Sequence, residues 1–209
     1  MTAAKMDRLH IGLLASLAAI FAWSAIRPRD LFTWFLEVAP VALGLVVLAA
    51  TYRRFRFTNL AYTLLWAHAI ILIVGGHYTY AEMPLFNWIR DEFGLARNNY
   101  DKVGHFAQGF VPAIVTREVL LRKSPLGRSA WLWFLVVCVC LALSAFYEFI
   151  EWWVSLATGT AADAFLGTQG YVWDTQSDMF YALTGALLAV ALLAKAHDRQ
   201  LQRLLQAPS

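Results

Sequence analysis

The sequence predicts an all-α polytopic membrane protein, six transmembrane helices in one bundle, and three observations predict it. Apolar residues fill 60% of the 209 positions and charged ones only 15%, with a mean hydropathy of +0.54; that composition excludes an ordinary water-soluble globule. The apolar residues gather in runs long enough to cross a hydrocarbon core about 30 Å thick. Between the runs the basic residues alternate, abundant in one connection and sparse in the next, the pattern of positive-inside topology. The whole of 1–209 is read as a single transmembrane domain.

The first span, about 9–26, stops at Arg27-Pro28-Arg29-Asp30. A signal peptide can also open with residues such as Lys5 and Arg8 before an apolar run. This run, however, ends in Trp23 and a basic Pro turn with no small-x-small cleavage site, which marks a retained helix. The second span, 31–50, ends before Arg53-Arg54-Phe55-Arg56, and the third covers 59–76. Spans five and six are 130–154 and 177–194.

Span four, 101–121, is polar for a membrane helix, with Asp101, Lys102, His105, Gln108, Arg117 and Glu118. Charge counting places it in the membrane. With six spans and both termini cytoplasmic, the inner segments hold 12 of the 17 basic residues and 3 acidic ones (+9), and the outer side holds 5 basic and 11 acidic (−6), summing to the net +3. Omitting the fourth span would throw the basic C-terminal tail, with Lys195, Arg199 and Arg203, to the outer side. Trp23, Trp34, Trp88, Trp152, Trp153 and Trp173 then fall near the outer interface, and Trp131 and Trp133 near the inner one. Between spans three and four, Leu85, Trp88, Ile89 and Phe93 recur at helical spacing, which predicts a short interfacial helix over 83–94. The segment 155–175 reads as a loop rich in Gly, Ala and Thr, without Lys or Arg.

Ionisable residues within a span cost about 2.5–3.5 kcal/mol each on insertion scales, so a group of them at one depth requires an explanation. Asp101 and His105 are four apart on span four, with Gln108 one turn deeper; Glu148 and Glu151 are three apart near the outer end of span five; Asp174 and Asp178 are four apart at the start of span six. Three consecutive helices joined by short connections are expected to be neighbours, so these faces converge just below the outer surface. Carboxylates with an imidazole suit Mg²⁺, Mn²⁺ or Zn²⁺, with Asp101, His105, Glu148 and Asp178 as ligands and Glu151 or Asp174 as general base. The same acids without a metal would share protons, as in acid–base catalysis or proton-coupled transport.

Plainer roles compete. Asp101 fits the cap of span four, and Thr175 with Asp178 fits a capping box. His105 and Glu148 lie one to two turns inside their spans, where no cap is needed. Lys102 is expected to snorkel to head groups or pair with Asp101, and His77 to sit at the interface or ligate. The mid-span His68 is expected to hydrogen-bond a neighbouring helix, and Glu37 to pair with Arg27, Arg29 or the cluster. A local ion pair with snorkelling would account for Arg117 and Glu118. Cys138 and Cys140, two apart in mid-span, face different directions and are packing residues. The basic inner surface fits membrane lipids with anionic head groups and requires no nucleic acid.

The segments Asp101-Lys102-Val103-Gly104-His105-Phe106, Ser144-Ala145-Phe146-Tyr147-Glu148-Phe149-Ile150-Glu151-Trp152 and Trp173-Asp174-Thr175-Gln176-Ser177-Asp178 resemble the YjdF family of bacterial inner-membrane proteins across essentially the whole chain. That resemblance implies a location and a fold and names no reaction. A more distant similarity is to VanZ-like envelope proteins, through Asp101, Lys102, His105, Phe106, Glu148, Asp178 and Gly185, with departures at Glu151 and Ala182. It implies an envelope lipid or lipid-linked substrate. Three functions follow as expectations: an outward-facing metal-dependent hydrolase or transferase on a phospholipid or lipid-linked precursor, a cation- or proton-coupled transporter, and a non-catalytic accessory protein.

Overall fold

The computed structural model describes residues 7–159 and 163–206; Lys5, counted above among the inner basic residues, and 160–162 of the second long loop lie outside the described residues. Each of the six predicted spans is a helix: α1 (Arg8–Ser24), α2 (Leu31–Thr51), α3 (Asn59–Tyr78), α5 (Tyr100–Lys123), α6 (Ala130–Thr158) and α8 (Asp174–Gln206). A single 3-10 turn (Tyr80–Glu82) and α4 (Pro84–Phe93) join α3 to α5, and a one-turn helix, α7 (Asp163–Leu166), precedes α8. By length and composition α2, α3, α6 and α8 can cross a membrane; α1 is apolar with 17 residues, and α5 has the length but carries the charges.

Local chemistry sets the helix starts. Asp7, Asp30, Thr58 and Ser129 each cap a helix by accepting from a backbone N–H two or three residues on, at 3.4, 2.6, 3.3 and 3.4 Å. Gly94, at φ +60°, ends α4 in the left-handed conformation that a side chain resists. Two expected boundaries move. The loop predicted over 155–175 begins as the last turn of α6, and α8 runs 12 residues past the predicted end at Ala194, because Lys195 to Gln206 holds neither Gly nor Pro.

Successive helices alternate in direction, so the bundle has two ends. At one end the α2–α3 connection meets the C-terminal turns of α5 and α8: Arg122 Nη1 donates to the Arg56 carbonyl at 2.6 Å, and Leu60 N to Gln200 Oε1 at 2.9 Å. This is the basic end. At the opposite, acidic end Arg29 N donates to the His77 carbonyl, and Arg29 pairs with Glu82. Between the ends lies a dry layer that includes Ala61, Ala113, Ile114, Leu132, Val136, Cys140, Ala186, Ala189 and Val190; Leu17, Trp34, Val38, Val41 and Ile73 pack α1, α2 and α3 together. Trp34, expected at the interface, is buried because its indole N–H has a partner inside, Ser24 Oγ at 3.1 Å. Trp23, Trp88, Trp131, Trp133, Trp152, Trp153 and Trp173 are exposed.

The closest pair is α5 with α8. A Cβ on Gly109 would overlap the Ala182 carbonyl, and one on Gly185 would overlap the Phe106 carbonyl, so the two backbones touch where side chains normally stand. Ala182 itself is wholly buried in this contact.

Gly185→Val should cost about 3 kcal/mol by overpacking against backbone that cannot yield. Gly12→Ala, a helical site with open space around it, should stay within about 1 kcal/mol of the parent or gain slightly. Thermal unfolding of the detergent-purified variants measures both.

Candidate functional site

The α5–α8 contact brings the first turns of both helices together at the acidic end, where α6 completes a polar cluster. Lys102, expected to snorkel or to pair with Asp101, lies at its centre with 7% of its side chain exposed, and it does pair with Asp101. Its ammonium donates to Asp178 Oδ1 at 2.6 Å, Asp174 Oδ1 at 2.8 Å and Asp101 Oδ2 at 3.2 Å. Three carboxylates use all three of its donors, a stronger hold than water at the head groups offers this side chain.

Arg97 is the second cation, and the sequence reading left it among the outer charges. It sits one turn before Asp101 and reaches Asp174 Oδ1 at 2.5 Å, Asp101 Oδ2 at 3.5 Å and the Gly167 carbonyl at 3.0 Å. Tyr171 lies over both cations, its ring centroid 5.6 Å from the Arg97 guanidinium and 5.8 Å from Lys102 Nζ. The loop before α8 is fastened here too: Gln169 accepts from Asn98 N at 3.0 Å and donates to the Asn98 carbonyl at 2.8 Å. The one signal in the sequence for Arg97 was its i,i+4 spacing to Asp101.

His105 joins the halves of the cluster. Its Nε2 lies 3.3 Å from Asp101 Oδ1 and 3.8 Å from Asp178 Oδ1, and its Nδ1 lies 3.0 Å from Gln108 Oε1 and 3.8 Å from Glu148 Oε1. Glu148 and Asp178 are buried, and Glu151 is only partly so, which makes it the most exposed carboxylate of the cluster. Glu148 Oε1 and Ser144 Oγ, both on this face of α6, are buried without a hydrogen-bond partner.

All six expected site residues therefore meet: Asp101, His105, Glu148, Glu151, Asp174 and Asp178. They meet with unequal freedom, because Asp174 is held by two cations and Asp178 by one. Among the described residues, two sets of three offer ligand atoms within 4.8 Å of one another, Asp101–His105–Asp178 and His105–Glu148–Glu151. The capping role fails for Asp101, which lies inside the first turn behind Asn99. Glu37 is buried beside Tyr80 and makes no ion pair among the described residues, since Arg29 turns to Glu82 instead. His77 is apart from the cluster, bonded to the Ser24 carbonyl at 3.0 Å and packed on Trp23. His68 lines an apolar groove between α1, α2 and α3 and has no hydrogen bond to a neighbouring helix among the described residues.

A second polar network at the basic end replaces the local pair expected of Arg117 and Glu118. Fully buried Glu118 accepts from Thr58 N at 3.1 Å, Thr58 Oγ1 at 2.8 Å and Arg122 Nη1 at 2.8 Å, and lies 3.0 Å from His197 Nε2. Arg117 Nη1 lies 2.8 Å from His197 Nδ1. A guanidinium has no acceptor, so Nδ1 must accept and Nε2 carries the proton that Glu118 receives. His197 lies beyond the predicted end of span six, which hid it.

Lys102→Met should destabilise the protein by about 3–5 kcal/mol, because it strands buried carboxylates. Adding Asp178→Asn should recover part of that loss, and a double-mutant cycle by thermal unfolding reads the coupling.

Residues 9–199 match the family model described as "Predicted membrane protein (DUF2238)". The chain is similar to the inner membrane protein YjdF of Escherichia coli (strain K12), 53% identical over 188 residues that cover 90% of each chain. No solved structure matches it. On these matches the chain belongs to the YjdF family of inner-membrane proteins.

Proposed function

We propose that this chain spans the inner membrane six times with both termini in the cytoplasm, and that its acidic end faces outward with a divalent-cation site. At that site it acts as a metal-dependent hydrolase or transferase on a phospholipid or lipid-linked envelope substrate. The observation that carries the reading is Glu148 Oε1, a buried carboxylate oxygen with no hydrogen-bond partner, 3.8 Å from His105. Lys102 already occupies Asp101, Asp174 and Asp178, so the ligand set it leaves open is His105, Glu148 and Glu151, with Gln108 giving up its contact to His105 Nδ1. One nitrogen and two carboxylates suit Mn²⁺ or Zn²⁺ better than Mg²⁺, whose ligands are oxygens. Such an ion would polarise a phosphoryl oxygen or activate a water, and would offset the repulsion between the two glutamates.

The partial exposure of Glu151, on the membrane-length helix α6, favours a substrate that arrives from the bilayer. The dry layer of Ile114, Leu132, Val136, Cys140 and Val190 below the site weighs against transport, which requires a polar route between the two ends.

Elemental analysis of the detergent-purified protein should find about one Mn or Zn per chain. Glu148→Gln and His105→Ala should each lose it, and lipid profiles of overexpressing cells should change only with the parent. Equal metal content in all three proteins, or none in the parent, would sink the site, and metal without a lipid change would move the reading to transport. For the topology, a C-terminal green fluorescent protein should fluoresce and a C-terminal alkaline phosphatase should be inactive; the reverse pair would place the C-terminus outside.

A further inference from the structure

At the basic end, α5, α6 and α8 leave an open groove of about 610 Å³, within the range of about 300–1,000 Å³ typical of ligand pockets. Its walls include Arg117, Arg128, Ser129, Leu132, Trp133 and Asp198. Arg117 is 3% exposed, and while its two terminal nitrogens are engaged by His197 and Asp198, its Nε is buried with no partner. Arg128 stands at the mouth, half exposed, with Nε 3.1 Å from Asp198 Oδ2. One carboxylate thus faces two guanidiniums.

The groove also receives the start of α6. Ser129 Oγ caps Leu132 N and the Ser129 carbonyl takes Trp133 N, which leaves the N–H groups of Ala130 and Trp131 without helical acceptors, and the first turn holds no acidic residue. The partial positive charge of a helix start adds to the excess guanidinium charge. Leu132, Trp133 and Ala194 form an apolar wall beside these donors, so the groove joins an anion site to a greasy surface.

We infer that this groove binds the phosphodiester head group of an anionic membrane lipid, with Arg128 and the α6 start as its contacts, Arg117 as its back wall and Asp198 as the resident competitor. A free phosphate would match the donors and leave the apolar wall unused. The inference rests on these helices crossing a membrane and is independent of the metal site at the other end.

The full chain, purified in non-ionic detergent, is titrated with phosphatidylglycerol or phosphatidylcholine, and bound lipid is counted by native mass spectrometry. One phosphatidylglycerol per chain should persist where phosphatidylcholine is lost. Arg128→Gln, a half-exposed change that spares the buried network, should weaken retention about fivefold, the equivalent of roughly 1 kcal/mol for one basic residue at the membrane surface. Asp198→Asn should tighten it. Equal retention of the two lipids, an Arg128→Gln protein that binds like the parent, or retention of inorganic phosphate with no lipid preference would each overturn the inference. Metal content unchanged in Arg128→Gln keeps this outcome separate from that of the acidic site.

Discussion

The two charged networks of this bundle hang on two backbones that touch. Where α5 crosses α8, Gly109 lies against the Ala182 carbonyl and Gly185 against the Phe106 carbonyl, with no side chain between them. Along α8 the buried residues Asp174, Asp178, Ala182, Gly185, Ala186, Ala189, Val190, His197 and Leu201 form one stripe, small in the middle and ionisable near both ends. On α5 the same order recurs, from Asp101 and His105 through Gly109 and Ala113 to Arg117 and Glu118. Small residues draw the axes together, and that approach places long charged side chains within hydrogen-bond reach above and below. A wider crossing would leave buried charges separated in a medium of low dielectric, where stranding one of a pair is expensive.

The helices and the acidic site were legible in the sequence because both are written at short range. Asp101 and His105 are four residues apart, Glu148 and Glu151 three, Asp174 and Asp178 four, and each pair marks a face without reference to the rest of the chain. Even polar α5 is expected as a helix, from the alternation of basic loops. What escaped depends on partners far away in sequence. Glu118 finds Thr58 sixty residues before it and His197 seventy-nine after it, and Lys102 finds Asp174 and Asp178 more than seventy residues on. Read alone, Lys102 snorkels or pairs with its neighbour Asp101, and Arg117 with Glu118 is a local ion pair. Trp34 escaped for a related reason, because an indole prefers the interface until a hydroxyl such as that of Ser24 is supplied inside.

The two networks differ in how completely they are satisfied. At the basic end Glu118 is surrounded by donors from Thr58, Arg122 and His197, the arrangement of a structural tie that fixes the α2–α3 connection to α5 and α8. At the acidic end Lys102 and Arg97 satisfy Asp101, Asp174 and Asp178, while Glu148 and Ser144 on the facing helix keep buried atoms unpaired. The basic network closes around Glu118 and leaves one guanidinium nitrogen, Arg117 Nε, buried without a partner. At the acidic end the unpaired atoms are Glu148 Oε1 and Ser144 Oγ on α6 and Arg97 Nε before α5.

The length of α8 has a mechanical meaning. Thirty-three residues at about 1.5 Å each make a rod of about 50 Å, against a hydrocarbon core of about 30 Å. Asp178 and His197 ride on that rod nineteen residues, or about 28 Å, apart, with no Gly or Pro between them except Gly185, itself clamped by α5. A rod pinned near its middle is a lever. Any tilt that moves Asp178 at one end must swing His197 the opposite way at the other, so the acidic and basic ends are joined by the stiffness of a single helix.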